Sequence, residues 1–174
     1  MILVVQDLGV IIYIARCEGD LDRFIEFPNP EKTDYGLSIF LDSVDTLIIG
    51  GRTYFDFLCR DFIMKYKDKE TYIISKNLIG KQKDLHIINK NVIETLSQIK
   101  KSEGKDIWLV GGGILTSILL ESELVDEITI NTFPVILGSG IPLFRDIPKE
   151  SEWKLITTQQ YSNGVLQIQY KKDQ

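Results

Sequence analysis

Ile107-Trp108-Leu109-Val110-Gly111-Gly112-Gly113-Ile114-Leu115 is an apolar run that meets three glycines and then passes into a helical pattern. Ile107 to Val110 has the length of a strand and carries no polar residue, as expected of a strand buried on both faces in a parallel sheet. After the glycines, Leu115, Ile118 and Leu119 recur at the spacing of one helix face, so a helix is expected from about Ile114 to Glu121. Strand, glycine turn and helix in that order are the building unit of an α/β protein.

The same unit recurs outward from this stretch. Apolar runs of strand length stand at Ile2 to Val5 with a continuation from Val10 to Ala15, at Thr46 to Ile49, Thr71 to Ile74 and Leu85 to Ile88. Helical stretches fall between them. Asn91 is placed to cap a helix, Glu94 to complete a capping box, Ile93, Leu96 and Ile99 to form its apolar stripe, and Gly104 to end it. Asp34 to Ser43 and Thr53 to Asp61 have room for two others. The last third differs: Glu127 to Phe133 alternates polar with apolar residues, a half-exposed strand for which antiparallel pairing is expected. Asn163-Gly164 then separates the alternating runs Trp153 to Tyr161 and Val165 to Lys171, the signature of a two-residue hairpin turn. The whole reads as an α/β domain whose mainly parallel sheet ends in an antiparallel hairpin.

Composition narrows the function. A chain of 174 residues with 44% hydrophobic and 26% charged residues suits one globular domain over residues 1–174. The net charge of −5, with Lys and Arg scattered, argues against nucleic acid as partner. Cys17 and Cys59 are too few for a disulfide framework or metal cluster, and a reducing cytoplasm fits. The apolar start lacks a leading positive charge and is broken by Gln6, Asp7 and Gly9, so it reads as a core strand rather than a signal peptide, and no run is long enough to span a membrane. His86 is the only histidine and reads as structural, which leaves no histidine triad and no predicted metal site.

Three glycines between a buried strand and a helix suit an anion. Backbone lacking Cβ atoms approaches closely, its N–H groups point outward, and the helix dipole favours negative charge. A dinucleotide fingerprint of the Gly-x-Gly-x-x-Gly kind fails, because Thr116 stands at its third glycine and Asp126 and Glu127 precede the next strand instead of ending it. Two further strands run into polar residues: Leu47-Ile48-Ile49 into Gly50-Gly51-Arg52-Thr53-Tyr54, and Tyr72-Ile73-Ile74 into Ser75-Lys76. Ligands on open α/β sheets bind at such carboxyl ends, and Arg52, Thr53, Ser75 and Lys76 are donors and cations that a phosphate needs. Gly138-Ser139-Gly140 lacks the pattern of a nucleophile elbow and reads as a turn.

Asp45 to Tyr54, Ile107 to Leu115, and Phe133-Pro134-Val135-Ile136-Leu137-Gly138-Ser139-Gly140-Ile141-Pro142-Leu143-Phe144 together resemble the dihydrofolate-reductase-like proteins related to the C-terminal reductase domain of bacterial riboflavin biosynthesis. The resemblance runs nearly end to end. It implies a three-layer fold with NADPH across the strand ends, and a homodimer paired through the Phe133 to Phe144 segment and the terminal strands. It further implies that Gly50, Gly51, Arg52 and Thr53 meet the cofactor phosphates, that Ser75 and Lys76 form the 2′-phosphate site, and that Val110, Gly111, Gly112, Gly113, Ile114 and Leu115 form the pyrophosphate loop. The reaction implied is hydride transfer to a small heterocycle, of the pterin or ribosylaminopyrimidine kind. Proton delivery falls to Asp34, Tyr35 or a bound water if the second helix borders the pocket.

Departures from the family pattern leave a second reading open. The segment after the first strand is Gln6-Asp7-Leu8-Gly9-Val10-Ile11-Ile12-Tyr13-Ile14-Ala15, Arg23 replaces a frequent tryptophan, and Arg52 is displaced by one residue by the paired Gly50-Gly51. A nucleotide-binding or regulatory module that keeps the cofactor cradle without turnover is the alternative.

Overall fold

The computed structural model describes residues 1–8, 13–15, 19, 22–55, 65–78, 85–144 and 150–173, with backbone alone at 2–8, 13–14 and 22–23. In chain order the elements are β1 (Ile2–Leu8), β2 (Tyr13–Ala15), α1 (Asp22–Ile25), α2 (Leu37–Ser43), β3 (Val44–Gly50), α3 (Gly51–Phe55), β4 (Glu70–Ile74), β5 (His86–Ile88), α4 (Val92–Lys101), β6 (Asp106–Gly111), α5 (Gly113–Glu121), β7 (Glu127–Thr132), β8 (Ile141–Pro142), β9 (Trp153–Gln160) and β10 (Leu166–Lys172).

An eight-stranded sheet has the order β5-β4-β3-β6-β1-β7-β10-β9. Every neighbour pair from β5 to β7 is parallel, and β10 pairs antiparallel with both β7 and β9. The expected mainly parallel sheet with its terminal hairpin is therefore present. Pairing at β7 departs from the antiparallel expectation on one side, since it lies parallel to β1. Alternation reports half-exposure and not direction; the α5 crossover returns the chain to the same edge, which makes β7 parallel.

Side chains alternate between two cores. Ile48, Ile107 and Leu109 pack with Leu96 of α4 and with Leu115 and Leu119 of α5. Leu47, Ile49 and Trp108 face the opposite way, against Phe40 and Leu41 of α2. Helices on both faces give three layers, which is why the central strands are apolar throughout.

Several local expectations need correction. Tyr13–Ala15 does not extend the first strand but pairs antiparallel with Ile141–Pro142 in a separate two-stranded ladder, because apolarity specifies burial and not a partner. Residues 9–12, Cys17, Glu18, Asp20 and 56–61, including Cys59, lie outside the described residues. Asn91 makes no side-chain cap bond; its left-handed backbone (φ 47°) is not the extended one that capping needs. The helix after it stops at Lys101, ahead of Gly104, and Val92 replaces the exposed Ile93 in the stripe with Leu96 and Ile99. In α5 the buried residues are Leu115, Thr116 and Leu119, while Ile118 is exposed. Burial of Thr116 is tolerated because its hydroxyl donates to Gly112 O at 3.3 Å.

The hairpin loop is Ser162-Asn163-Gly164, three residues rather than two. Tyr161 N donates to Val165 O at 2.9 Å, Gly164 N donates to Tyr161 O at 3.0 Å, and Gly164 takes the left-handed conformation (φ 87°). Tight turns of this length place a single left-handed residue last, and glycine serves there.

Polar contacts close the amino-terminal edge of the sheet. Lys69 is nearly buried and donates to Leu41 O (2.9 Å) and Val44 O (2.7 Å), satisfying carbonyls where α2 runs into β3. Partial burial pushes the Asp45 carboxyl up, but donation from Lys105 N and the Thr46 hydroxyl, both at 2.7 Å, outweighs it and holds the group below its usual value.

Candidate functional site

Gly50, Ile74 and Gly111 end three adjacent parallel strands, so they lie on one edge, with Gly50 beside Ile74 and Ile49 beside Gly111. The loops that leave these strands touch. A Cβ on Gly50 would lie 3.2 Å from both Gly111 O and Gly112 N, one on Gly51 2.6 Å from Ser75 Oγ, and one on Gly112 3.0 Å from Thr53 Oγ1. Close packing against neighbouring loop backbone at Gly50, and against the Ser75 and Thr53 side chains at Gly51 and Gly112, is one sufficient reason for these glycines. For Gly111 the reason is its φ of 129°, and the Gly111–Gly112 peptide is cis.

The same packing shapes a surface for anions. Helix α5 begins at Gly113 with no side-chain cap bond and no acidic residue in its first turn, so its leading N–H groups keep their positive character. Thr53 borders this start, and Ser75 borders Gly51 at the end of the neighbouring strand. Ser75 Oγ accepts from Asn77 N and Leu78 N, each at 3.3 Å, which leaves its own proton to donate. Arg52 and Lys76 are exposed and form no ion pair among the described residues. Of the predicted loop residues, Val110 packs beside Trp108, Ile114 is exposed, and Leu115 belongs to the core, so only its backbone can face a ligand.

Thus the chain brings together Gly50 to Thr53, Ser75 to Lys76 and Gly111 to Gly113. Glycine backbone, two hydroxyls, two cations and a helix start are a donor set matched to a phosphorylated nucleotide. Among the described residues, no cluster of three His, Cys, Asp or Glu could hold a metal ion. His86 lies on an edge strand, 3.2 Å from Glu70 and stacked on Tyr72, as a structural residue would.

Tyr35 is tied to β10, which lies on the other side of β1 from the cradle strands, and Asp34 precedes it. Asp34 accepts from Gly36 N (3.0 Å) and Ser38 N (3.1 Å), and bonds from Ser38 lead in holding its carboxyl below the usual range. A carboxylate held ionised in this way stabilises the first turn of α2 and is poorly suited to give up a proton at neutral pH. Tyr35 adopts a left-handed backbone (φ 52°), which costs a non-glycine residue about 1–2 kcal/mol. Its ring meets Phe133 and Tyr161 edge-on, its hydroxyl accepts from Asn163 Nδ2 (2.7 Å), and its carbonyl accepts from Gln167 Nε2 (2.8 Å).

Gln167 also donates to the buried Asn131 Oδ1 at 2.8 Å. Neither Asn131 nor Gln167 stands out in the sequence, where alternation marks them only as strand residues. Asn163 is legible there as a turn residue, but not as a partner of Tyr35.

The family model described as the RibD C-terminal domain matches residues 46–167, most of the chain and all three cradle segments. The chain belongs to the RibD C-terminal domain family. The uncharacterized protein YyaP of Bacillus subtilis is 36% identical over 169 residues, covering 86% of this chain and 89% of YyaP. A Shewanella sp. PV-4 protein assigned to riboflavin biosynthesis superposes with a TM-score of 0.84 at 21% identity, covering 99% of each chain. Dihydrofolate reductase from Enterococcus faecalis, complexed with NADP(H) and RAB-propyl, superposes with a TM-score of 0.68 at 15% identity, covering 100% of this chain and 97% of its own. The fold of this RibD C-terminal domain is therefore dihydrofolate-reductase-like. No helix among its described residues is long and apolar enough to cross a membrane.

Proposed function

We propose that this protein is an NADPH-dependent reductase that transfers hydride to a C=N or C=O centre of a small heterocycle, of the pterin or ribosylaminopyrimidine kind. The observation that carries the reading is the convergence of the β3, β4 and β6 ends, where glycine backbone, Thr53, Ser75, Arg52, Lys76 and the start of α5 surround one edge. The family and the NADP(H) complex of the Enterococcus reductase support it.

In this reading Gly111 to Gly113 and the first turn of α5 hold the pyrophosphate through backbone N–H groups, with Arg52 and Thr53 beside it. Ser75 and Lys76 take the 2′-phosphate. When bound, NADPH supplies the hydride, and the chain's part is to hold the two reactants together and exclude water. The capping role of Asp34 leaves proton delivery to Tyr35 or a bound water. Residues 1–174 act as one domain, since β1 from the amino terminus sits between β6 and β7.

Ser75→Ala with Lys76→Ala is expected to weaken NADPH binding by about 1–3 kcal/mol and to leave NADH almost unaffected, as removal of charge-assisted hydrogen bonds requires. Calorimetry with both nucleotides checks this, and equal NADPH affinity in wild type and variant would remove the 2′-phosphate assignment. Consumption of NADPH with dihydrofolate or a ribosylaminopyrimidine as probe tests turnover. Tight binding without any oxidation would turn the proposal toward a nucleotide-binding module.

The proposal extends to a homodimer. Edge strand β9 leaves Leu155 and Ile156 about half exposed, and Ile136 in the segment after β7 is 77% exposed. A second copy would cover such an edge. Light scattering is expected to give twice the chain mass, and a monomer at micromolar concentration would exclude the pairing.

A further inference from the structure

The β9–β10 hairpin tip makes contacts that neither a turn nor the nucleotide cradle requires. Asn163 Nδ2 donates to Pro28 O (3.1 Å) and to the Tyr35 hydroxyl (2.7 Å), while its Oδ1 accepts from Val165 N (3.4 Å). Because Pro28 offers only a carbonyl there, the group facing it must be the NH₂, which settles the orientation of the amide. Ser162 Oγ donates to Glu31 Oε2 at 2.7 Å. One strand residue further in, Gln167 Nε2 donates to Tyr35 O at 2.8 Å. Three side chains of the hairpin thus grip one segment, Pro28 to Tyr35, from more than a hundred residues away in sequence.

Besides these bonds, the segment is anchored at its end by the Tyr35 ring, which packs against Phe133 and Tyr161. Lys32 and Tyr35 both hold left-handed backbone (φ 51° and 52°), which local preference opposes. Helix α2, which follows, has seven residues, none of them fully buried, and leaves Leu37 and Ile39 exposed. A helix so short does not persist without tertiary support. Phe40 and Leu41 supply it in the second half by packing on Leu47, Ile49 and Trp108, while the apolar residues of the first turn, Leu37 and Ile39, stay exposed. Asn29 bonds Thr33 at both N and O, which stiffens the loop internally but does not tie it to the sheet.

We propose that the hairpin tip is a clasp, with Asn163 as its hook and Tyr35 as its catch, that holds the entry to α2 against the sheet and releases it by local opening rather than by unfolding. The clasp itself requires no ligand. Its consequence, control over how the α2 side of the carboxyl edge is ordered around a substrate, rests on the reductase reading above.

Hydrogen exchange of the full chain without ligand tests it. Asn163→Ala and Gln167→Leu are each expected to raise exchange of amides in residues 29–40 roughly five- to tenfold, with peptides from β3 and β6 unchanged. Tyr35→Phe keeps the ring among Phe133 and Tyr161 and removes only the hydroxyl, so it serves should the other variants fold poorly; a smaller rise in the same peptides is expected. Exchange in 29–40 equal to wild type in Tyr35→Phe and in whichever of the other two folds would overturn the clasp. A rise spread evenly over the sheet would overturn it as well, because opening would then be global. NADPH titration of the wild-type protein separates the two readings: failure to bind NADPH removes the reductase proposal and leaves the exchange result intact.

Discussion

Gly51→Ala is expected to destabilise the folded chain by about 1–3 kcal/mol and to weaken nucleotide binding in the same variant. The added Cβ would stand 2.6 Å from Ser75 Oγ and 2.7 Å from Ser75 Cβ, with Ile74 O at 3.3 Å. Ser75 cannot easily turn away, because its oxygen is bound by the N–H groups of Asn77 and Leu78. Either the turn after β4 or the start of α3 has to shift, and both carry residues assigned to the phosphates. Ser75→Gly removes the obstructing atoms, so the double variant should recover much of the stability lost by Gly51→Ala, a coupling that a double-mutant cycle measures by urea unfolding. An unchanged unfolding midpoint for Gly51→Ala would mean that the two loops do not touch as described.

Leu109→Ala should cost more, about 2–5 kcal/mol, as large-to-small changes in a rigid core do. Leu109 is fully buried on β6, between β3 and β1, in the cluster that includes Leu115 and Leu119 of α5. Two flanking strands hold the backbone, so the cavity cannot collapse easily. Trp108, its neighbour on the opposite face of the sheet, reports unfolding by fluorescence. A loss below about 1 kcal/mol would contradict the packing of α5 on this strand.

The two substitutions probe different kinds of information. Burial of Leu109 could be read from its own neighbours, because a continuous apolar run beside a helical stripe has few other uses. Contact of Gly51 with Ser75 could not, since nothing near either residue refers to the other. The same holds at Asn163, visible beforehand only as a turn former. Where the pairing of a strand was misread, the failure was of this type: β7 alternates whichever way its neighbour runs, and Tyr13–Ala15 is apolar whichever strand it pairs with.

Local chemistry along the chain was enough to establish the layered α/β architecture, the parallel run of strands, the closing hairpin and the three segments that supply glycines, hydroxyls and cations, because periodicity and backbone freedom are properties of neighbouring residues. Strand order, and with it the meeting of Gly50, Gly51, Thr53, Ser75 and Gly112 at one edge, came only with the folded chain. So did the capping duty of Asp34 and the grip of Asn163 and Gln167 on the segment ahead of α2. Those depend on distances between residues far apart in sequence, which packing of the whole sheet sets and no short stretch encodes.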